Sequence, residues 1–224
     1  MSFDILKVKT VDEFLQWKSS SQKGIEEIYA QVTLNDLGWG NTDVMYSFLG
    51  IYAIGVWVYN KDKFRVTNYY IKENGKRQSI YSYDFIKKIQ NDDSYDLKEL
   101  NEKFRDFIEV YSSLGNVMPI WPGGNKEKGK TQGCFDIPEL YFNKHYEWFL
   151  ALRQIYRNNI CFDGIINKRT PQKQCYRSLQ DFLKTVETPE KYEELLDKVV
   201  SNIKTREKEV NNFIELRRSM EPKK

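Results

Sequence analysis

The sequence predicts a mainly helical α+β fold. A small antiparallel β-hairpin layer is expected in the first half, over residues 50–85, and a helical C-terminal half ends in a long terminal helix. Three observations predict this. Asn74-Gly75 sits between two β-prone runs, the strongest short-range hairpin signal. Apolar residues recur at helical spacing from Leu97 to Tyr111 and again from Leu140 to Ile155. Thr188-Pro189 then opens an uninterrupted amphipathic run to Arg218. A length of 224 residues suits one domain over 1–187, with a helix over 188–218 packed on it or projecting from it.

The elements follow in order. Thr10-Val-Asp-Glu13 is a capping box before Phe14 and Leu15, and Ile25, Ile28, Tyr29 and Val32 continue at helical spacing. Asn35 to Asn41 reads as a turn with Gly on both sides of Trp39. Val44 to Tyr59 carries no charge over sixteen residues, short of the ~20 needed to span a bilayer, so it reads as a core element. Within it, Ile54, Val56 and Val58 alternate as in a strand from Tyr52 to Tyr59, and periodicity alone does not separate strand from buried helix. Phe64 to Ile71 and Gln78 to Tyr83 form the expected hairpin.

Asp93 or Ser94 is the expected cap of one helix with the stripe Leu97, Leu100, Phe104, Phe107, Ile108 and Tyr111. Gly115 is expected to end it with positive φ. The apolar run Val117 to Trp121 leads to a loop from Pro122 to Phe135, and Asp136-Ile-Pro-Glu139 restarts a helix. A second loop, Asn158 to Thr170, precedes a helix around Leu179, Phe182, Leu183 and Val186. In the terminal helix the apolar positions thin out between Lys204 and Glu209.

Composition excludes several classes of function. The cysteines Cys134, Cys161 and Cys175 show no CxxC spacing, and with one histidine they give no zinc set, so no metal is expected. Residues Met1 to Lys7 lack a basic region followed by an apolar core, and a cytoplasmic protein with no membrane partner is expected. The net charge of +3 is too small to mark a nucleic-acid binder by itself. Its distribution is more telling. Between Pro122 and Arg177 ten Lys/Arg face five Asp/Glu, whereas residues 178–224 carry ten of each.

The sharpest motif lies in that basic segment. Gly124, Gly129, Lys130 and Thr131 spell G-x-x-x-x-G-K-T, the phosphate loop in which backbone N–H groups, a lysine and a hydroxyl gather around phosphates and Mg²⁺. A true phosphate loop needs a buried parallel strand before it and a helix starting at its last residues. Here Pro119 disfavours a central strand, and the helix signal at Asp136 comes too late. The remaining readings are a loop that binds phosphate without hydrolysis and a plain hydrated loop. Gly123, Lys126 and Lys128 belong to the same loop, and Trp121 offers a stacking ring at its start. A second cluster, Lys168, Arg169, Lys173 and Arg177, has no acid among residues 164–180 and has Tyr176 beside it. His145 and Asp163 are the candidate acid/base groups, though a histidine on an apolar helix face is more often a hydrogen-bonded core residue. The sequence names no catalytic residue and no cofactor.

From Tyr111 to Leu152 the chain resembles part of an uncharacterised group of bacterial proteins. In these a Tyr-Ser near a helix end leads to a Gly, an apolar run ending in Pro, a polar-basic Gly loop and a helix opened by Asp-Ile or Ile-x-Asp. Leu37 to Gly40 is similar to a Gly-Tyr-Gly-Gly turn near their N-terminus. The resemblance implies that the loop after Trp121 is a family feature. It brings no activity and no catalytic residue, and the Lys-Thr pair is not part of that pattern.

Taken together, the residues predict recognition of a phosphate-bearing ligand, a nucleotide or a nucleic acid, through the two basic loops. By association, a bacterial or phage defence or toxin setting is expected. The alternatives are a P-loop-like NTPase and a non-catalytic interaction or scaffold protein whose partner binds the helix over residues 189–218.

Overall fold

The computed structural model describes residues 41–63, 65–67, 70–73, 76–79, 83–120, Pro138 and 179–220. Among them the chain is mainly helical and ends in a long helix. Strand β1 (Asn41–Val44) is followed by helix α1 (Phe48–Tyr59), a 3₁₀ turn at Lys61–Lys63, and strands β2 (Arg65–Thr67), β3 (Tyr70–Glu73) and β4 (Lys76–Ser79). Helices α2 (Tyr83–Gln90), α3 (Lys98–Lys103) and α4 (Arg105–Tyr111), strand β5 (Val117–Ile120), and helices α5 (Leu179–Thr185) and α6 (Pro189–Met220) complete the order.

The ambiguous apolar run is a helix, which removes residues 50–59 from the expected β layer. Ser47 starts it: its hydroxyl accepts from the Gly50 N–H at 3.3 Å, the N-cap geometry. The run then buries on almost every side, and such a helix shows no amphipathic period to read. Among the described residues between 50 and 85, pairing joins three short antiparallel strands, with Thr67 opposite Tyr70 and Glu73 opposite Lys76. Strand β5 pairs antiparallel with β1, from Asn41 opposite Ile120 to Val44 opposite Val117. Pro119 is tolerated in this two-stranded ribbon, opposite Thr42.

Helix α1 packs against α3 and α6, and α6 also packs along α4. The core is correspondingly aromatic. Phe48 stacks on Tyr52 at 5.8 Å, and Phe104 meets both rings edge-on at 5.4 and 5.1 Å. Phe107 and Tyr111 extend the cluster. Each such pair adds about 0.5–1.5 kcal/mol beyond its buried area. Gly55 is required here by space, because a Cβ would lie 2.6 Å from the Tyr192 hydroxyl of α6 and would also meet Leu100 Cδ1.

Two further expectations are corrected. The helix after Asp92 does not start at Asp93 or Ser94. Asp92 Oδ1 accepts from the Ser94 N–H at 3.0 Å and its carbonyl accepts from the Tyr95 N–H at 3.0 Å, so these residues form a turn, and α3 begins at Lys98. Phe104 then divides α3 from α4 while keeping right-handed helical angles, φ −73° and ψ −11°. The predicted stripe therefore survives the division, with Leu97, Leu100, Phe104, Phe107, Ile108 and Tyr111 all buried. Gly115 is not the C′ residue: α4 is capped at Ser112, and Gly115 is not in the left-handed region. Its role is close approach, since a Cβ there would collide with the Ile203 carbonyl of α6.

Helix α6 is opened by Thr188, whose Oγ1 accepts from the Lys191 N–H at 3.4 Å, with Pro189 in the first turn. Tyr192, Leu195, Leu196, Val199, Val200, Ile203 and Val210 are buried. The stretch where apolar residues thin out does not leave the body. Arg206 occupies the buried stripe there and is 4% exposed.

Candidate functional site

None of the sequence-selected site residues falls among the described ones. Trp121, Gly123, Gly124, Lys126, Lys128, Gly129, Lys130, Thr131, His145, Asp163, Lys168, Arg169, Lys173 and Arg177 all lie outside them. The described frame does show how the basic segment is attached. Strand β5 ends at Ile120, immediately before Trp121, and α5 begins at Leu179, two residues after Arg177. The question for function is what fixes those attachments.

The lead-in is held from two sides. On one side, Asn116 is fully buried and pairs with Tyr46 as a strand residue would: its Oδ1 accepts from the Tyr46 N–H at 2.9 Å, and its Nδ2 donates to the Tyr46 carbonyl at 3.2 Å. The same Nδ2 donates to the Tyr111 carbonyl at 2.8 Å, so one amide joins the end of α4 to the approach of α1. The Met45 N–H also donates to the Asn116 carbonyl at 2.6 Å. On the other side, α6 supplies Arg206, whose Nη1 donates to the carbonyls of Leu114, Gly115 and Val117, each at 2.8 Å. Three carbonyls thus share the two N–H groups of one nitrogen and tie the turn before β5 to α6.

Sequence reading missed both residues. Asn116 follows Gly115 and reads only as turn composition. Arg206 had a usable signal: it falls in step with Val199, Ile203 and Val210, so a charge stands where the helical period calls for an apolar side chain. A charge at such a position requires buried hydrogen-bond partners. Asn60 repeats the Asn116 device at the end of α1, exchanging two bonds with the Asp96 backbone at 3.1 and 2.8 Å.

The polar groups inside the frame suit structure better than catalysis. The Tyr52 hydroxyl donates to Asn101 Oδ1 at 2.8 Å, and that of Tyr192 donates to the Ile51 carbonyl at 2.9 Å. Burial pushes both phenols well above their ordinary range, so they stay protonated donors. Tyr59 is shifted upward as well, first by burial and then by its hydrogen bond to Glu193 at 3.1 Å. Lys103 is held protonated mainly by its hydrogen bond to Glu193 at 2.7 Å, with Glu99 and Asp197 also near. Between α3 and the first half of α6 the sequence thus interleaves Glu99, Glu193 and Asp197 with Lys98, Lys103, Lys191 and Lys198, and among the described residues no group of three His, Cys, Asp or Glu is placed to hold a metal ion. No helix among the described residues is long and apolar enough to cross a membrane.

Strand β5 and helix α5 thus flank, in sequence, the segment in which the basic residues are concentrated. No family model, curated protein or solved structure matches the chain.

Proposed function

We propose that the protein recognises a phosphate-bearing ligand, a nucleotide or a nucleic acid, through the basic segment between Trp121 and Arg177. The observation that carries this reading is the separation of charge. The ten Lys/Arg against five Asp/Glu of residues 122–177 stand apart from residues 178–224, where the two signs balance at ten each. A polyanion is attracted by the first region and meets little net charge on the second. Trp121 and Tyr176 supply rings on which bases can stack.

The NTPase version draws less support. The strand before Gly124 pairs antiparallel with β1 and contains Pro119, whereas a phosphate loop follows a buried parallel strand. Its direct check is the melting temperature in excess Mg-nucleotide, where binding at 100 times Kd raises stability by about 2.7 kcal/mol. No shift removes that version.

The principal test is a salt titration of binding to a labelled single-stranded oligonucleotide. Neutralising Lys126, Lys128 and Lys130 together is expected to flatten the slope of log K against log salt by about 2–3 units. Absence of binding at low salt would reject nucleic acid as the ligand and leave the nucleotide version to the melting experiment.

A further inference from the structure

We propose that the three-stranded sheet β2–β3–β4 carries a second site, a platform for single-stranded nucleic acid, on the face that holds Arg65, Lys72, Arg77 and Tyr70. The site is separate from the segment between Trp121 and Arg177 and does not rest on it. The strand register carries the inference. Arg65 stands opposite Lys72, and Lys72 stands opposite Arg77, so three cationic residues occupy one row across all three strands. Residues directly opposite in an antiparallel pair share a face, and successive residues alternate between faces. The same face therefore holds the row Thr67, Tyr70 and Ser79. The other face holds Val66, Ile71 and Gln78, with Glu73 opposite Lys76. One side of the sheet thus combines apolar residues with a matched pair of charges. The other gathers three cationic residues, two hydroxyl residues and an aromatic one.

Like charges placed directly opposite one another destabilise a sheet. Edge strands commonly carry charged residues that block further pairing, which accounts for Arg65 on β2 and Arg77 on β4. It does not account for Lys72, because β3 is the central strand. An anion laid across the row offsets the repulsion. With strands about 4.8 Å apart the row spans about 10 Å, and the Tyr70 row lies about 7 Å further along the strands. Cations that follow a backbone beside an aromatic ring that stacks a base are the general means of holding a single strand. Serine and threonine hydroxyls add bonds to phosphate oxygens. Charge complementarity agrees: among residues 65–79 four Lys/Arg stand against one Asp/Glu. A duplex keeps its bases stacked on each other and would leave Tyr70 without a role, so the single strand is the partner that uses the whole face.

The test uses the full chain and the labelled single-stranded oligonucleotide at several salt concentrations, with the folded fraction of each variant read by circular dichroism. Arg65→Gln/Lys72→Gln/Arg77→Gln is expected to flatten the slope of log K against log salt by about 2 units, at ~0.7 for each single-strand phosphate contact. The pair Arg65→Gln/Arg77→Gln, with an expected flattening of about 1.4 units, serves if the triple variant does not fold. Lys76→Gln, on the other face of the same hairpin, is the charge control and is expected to keep the wild-type slope. Tyr70→Val is expected to weaken binding about tenfold at every salt concentration without changing the slope, and Tyr70→Phe, which keeps the ring, to bind like wild type. A wild-type slope in the triple or paired variant would overturn the platform. So would equal flattening by Lys76→Gln and Lys72→Gln, or wild-type affinity in folded Tyr70→Val. None of these results touches the loop reading, which the Lys126, Lys128 and Lys130 variant tests separately. A flatter slope there with an unchanged slope in the sheet variants would assign binding to the loop and overturn the platform. Absence of wild-type binding at low salt would also overturn it, leaving nucleotide recognition by the loop to the melting experiment.

Discussion

Asn116 shows how much one buried amide can hold. It bonds the Tyr46 N–H and the carbonyls of Tyr46 and Tyr111 at once. Asn116→Leu matches the volume but removes all three hydrogen bonds, so a loss of about 2–4 kcal/mol is expected, read as a lower urea midpoint at unchanged m-value. The buried phenols make a second prediction, with a definite sign. Tyr52 and Tyr192 have folded pKa values above those of the unfolded chain, where a tyrosine ionises near 10. Below about pH 10 both states keep the proton and stability is flat; above it the unfolded state releases protons first, and stability falls by up to ~1.4 kcal/mol per pH unit for each tyrosine. Tyr192→Phe should make that alkaline decline shallower, at a cost of about 1 kcal/mol at neutral pH for the lost bond to Ile51. Chemical unfolding curves between pH 8 and 11 measure both effects, and an unchanged alkaline slope in Tyr192→Phe would contradict the assignment. None of these roles was legible in composition, because an asparagine or a tyrosine declares its partners only once the chain has folded.

At the scale of elements, legibility followed periodicity. The stripe from Leu97 to Tyr111 and the run after Thr188-Pro189 were readable because one face of each meets the core and the other meets water. Helix α1 was not, since an element buried on nearly all sides has no polar face to set its phase. Its better signal was local: Ser47 standing just before a run of twelve uncharged residues. Gly55 inside α1 also points to a helix packed closely by its neighbours. On propensity alone, Gly55→Ala should stabilise a helix interior by about 1 kcal/mol. The added Cβ would sit 2.6 Å from the Tyr192 hydroxyl and against Leu100, and overpacking of this kind costs about 1–3 kcal/mol. Packing is expected to win, so Gly55→Ala should lower the melting temperature. A higher melting temperature would show that α1 and α6 are looser than this contact requires.

For the whole molecule, α6 decides between an attached lever and a wall of the core. Tyr192, Val199 and Ile203 are fully enclosed against α1 and α4, and Arg206 and Val210 continue the same buried line. Truncation after Glu187 would therefore remove core, and it is expected to abolish cooperative unfolding. A cut after Lys204 takes away Arg206 and Val210, leaving the Leu114, Gly115 and Val117 carbonyls without their shared donor. It should destabilise the protein by at least about 1.5–3 kcal/mol, the worth of hydrogen bonding to a charged group. Cutting after Val210 spares all of these contacts. That shortened chain should keep a cooperative transition close to that of the full chain in thermal circular dichroism. This choice of boundary also isolates the scaffold alternative, in which the end of α6 pairs with a partner or a second copy. If the 1–210 chain folds normally but has a smaller mass by light scattering than the full chain, residues beyond Val210 carry an association. If both have the monomer mass and bind the oligonucleotide equally, self-pairing through the helix end is ruled out, and recognition belongs to the chain up to Val210.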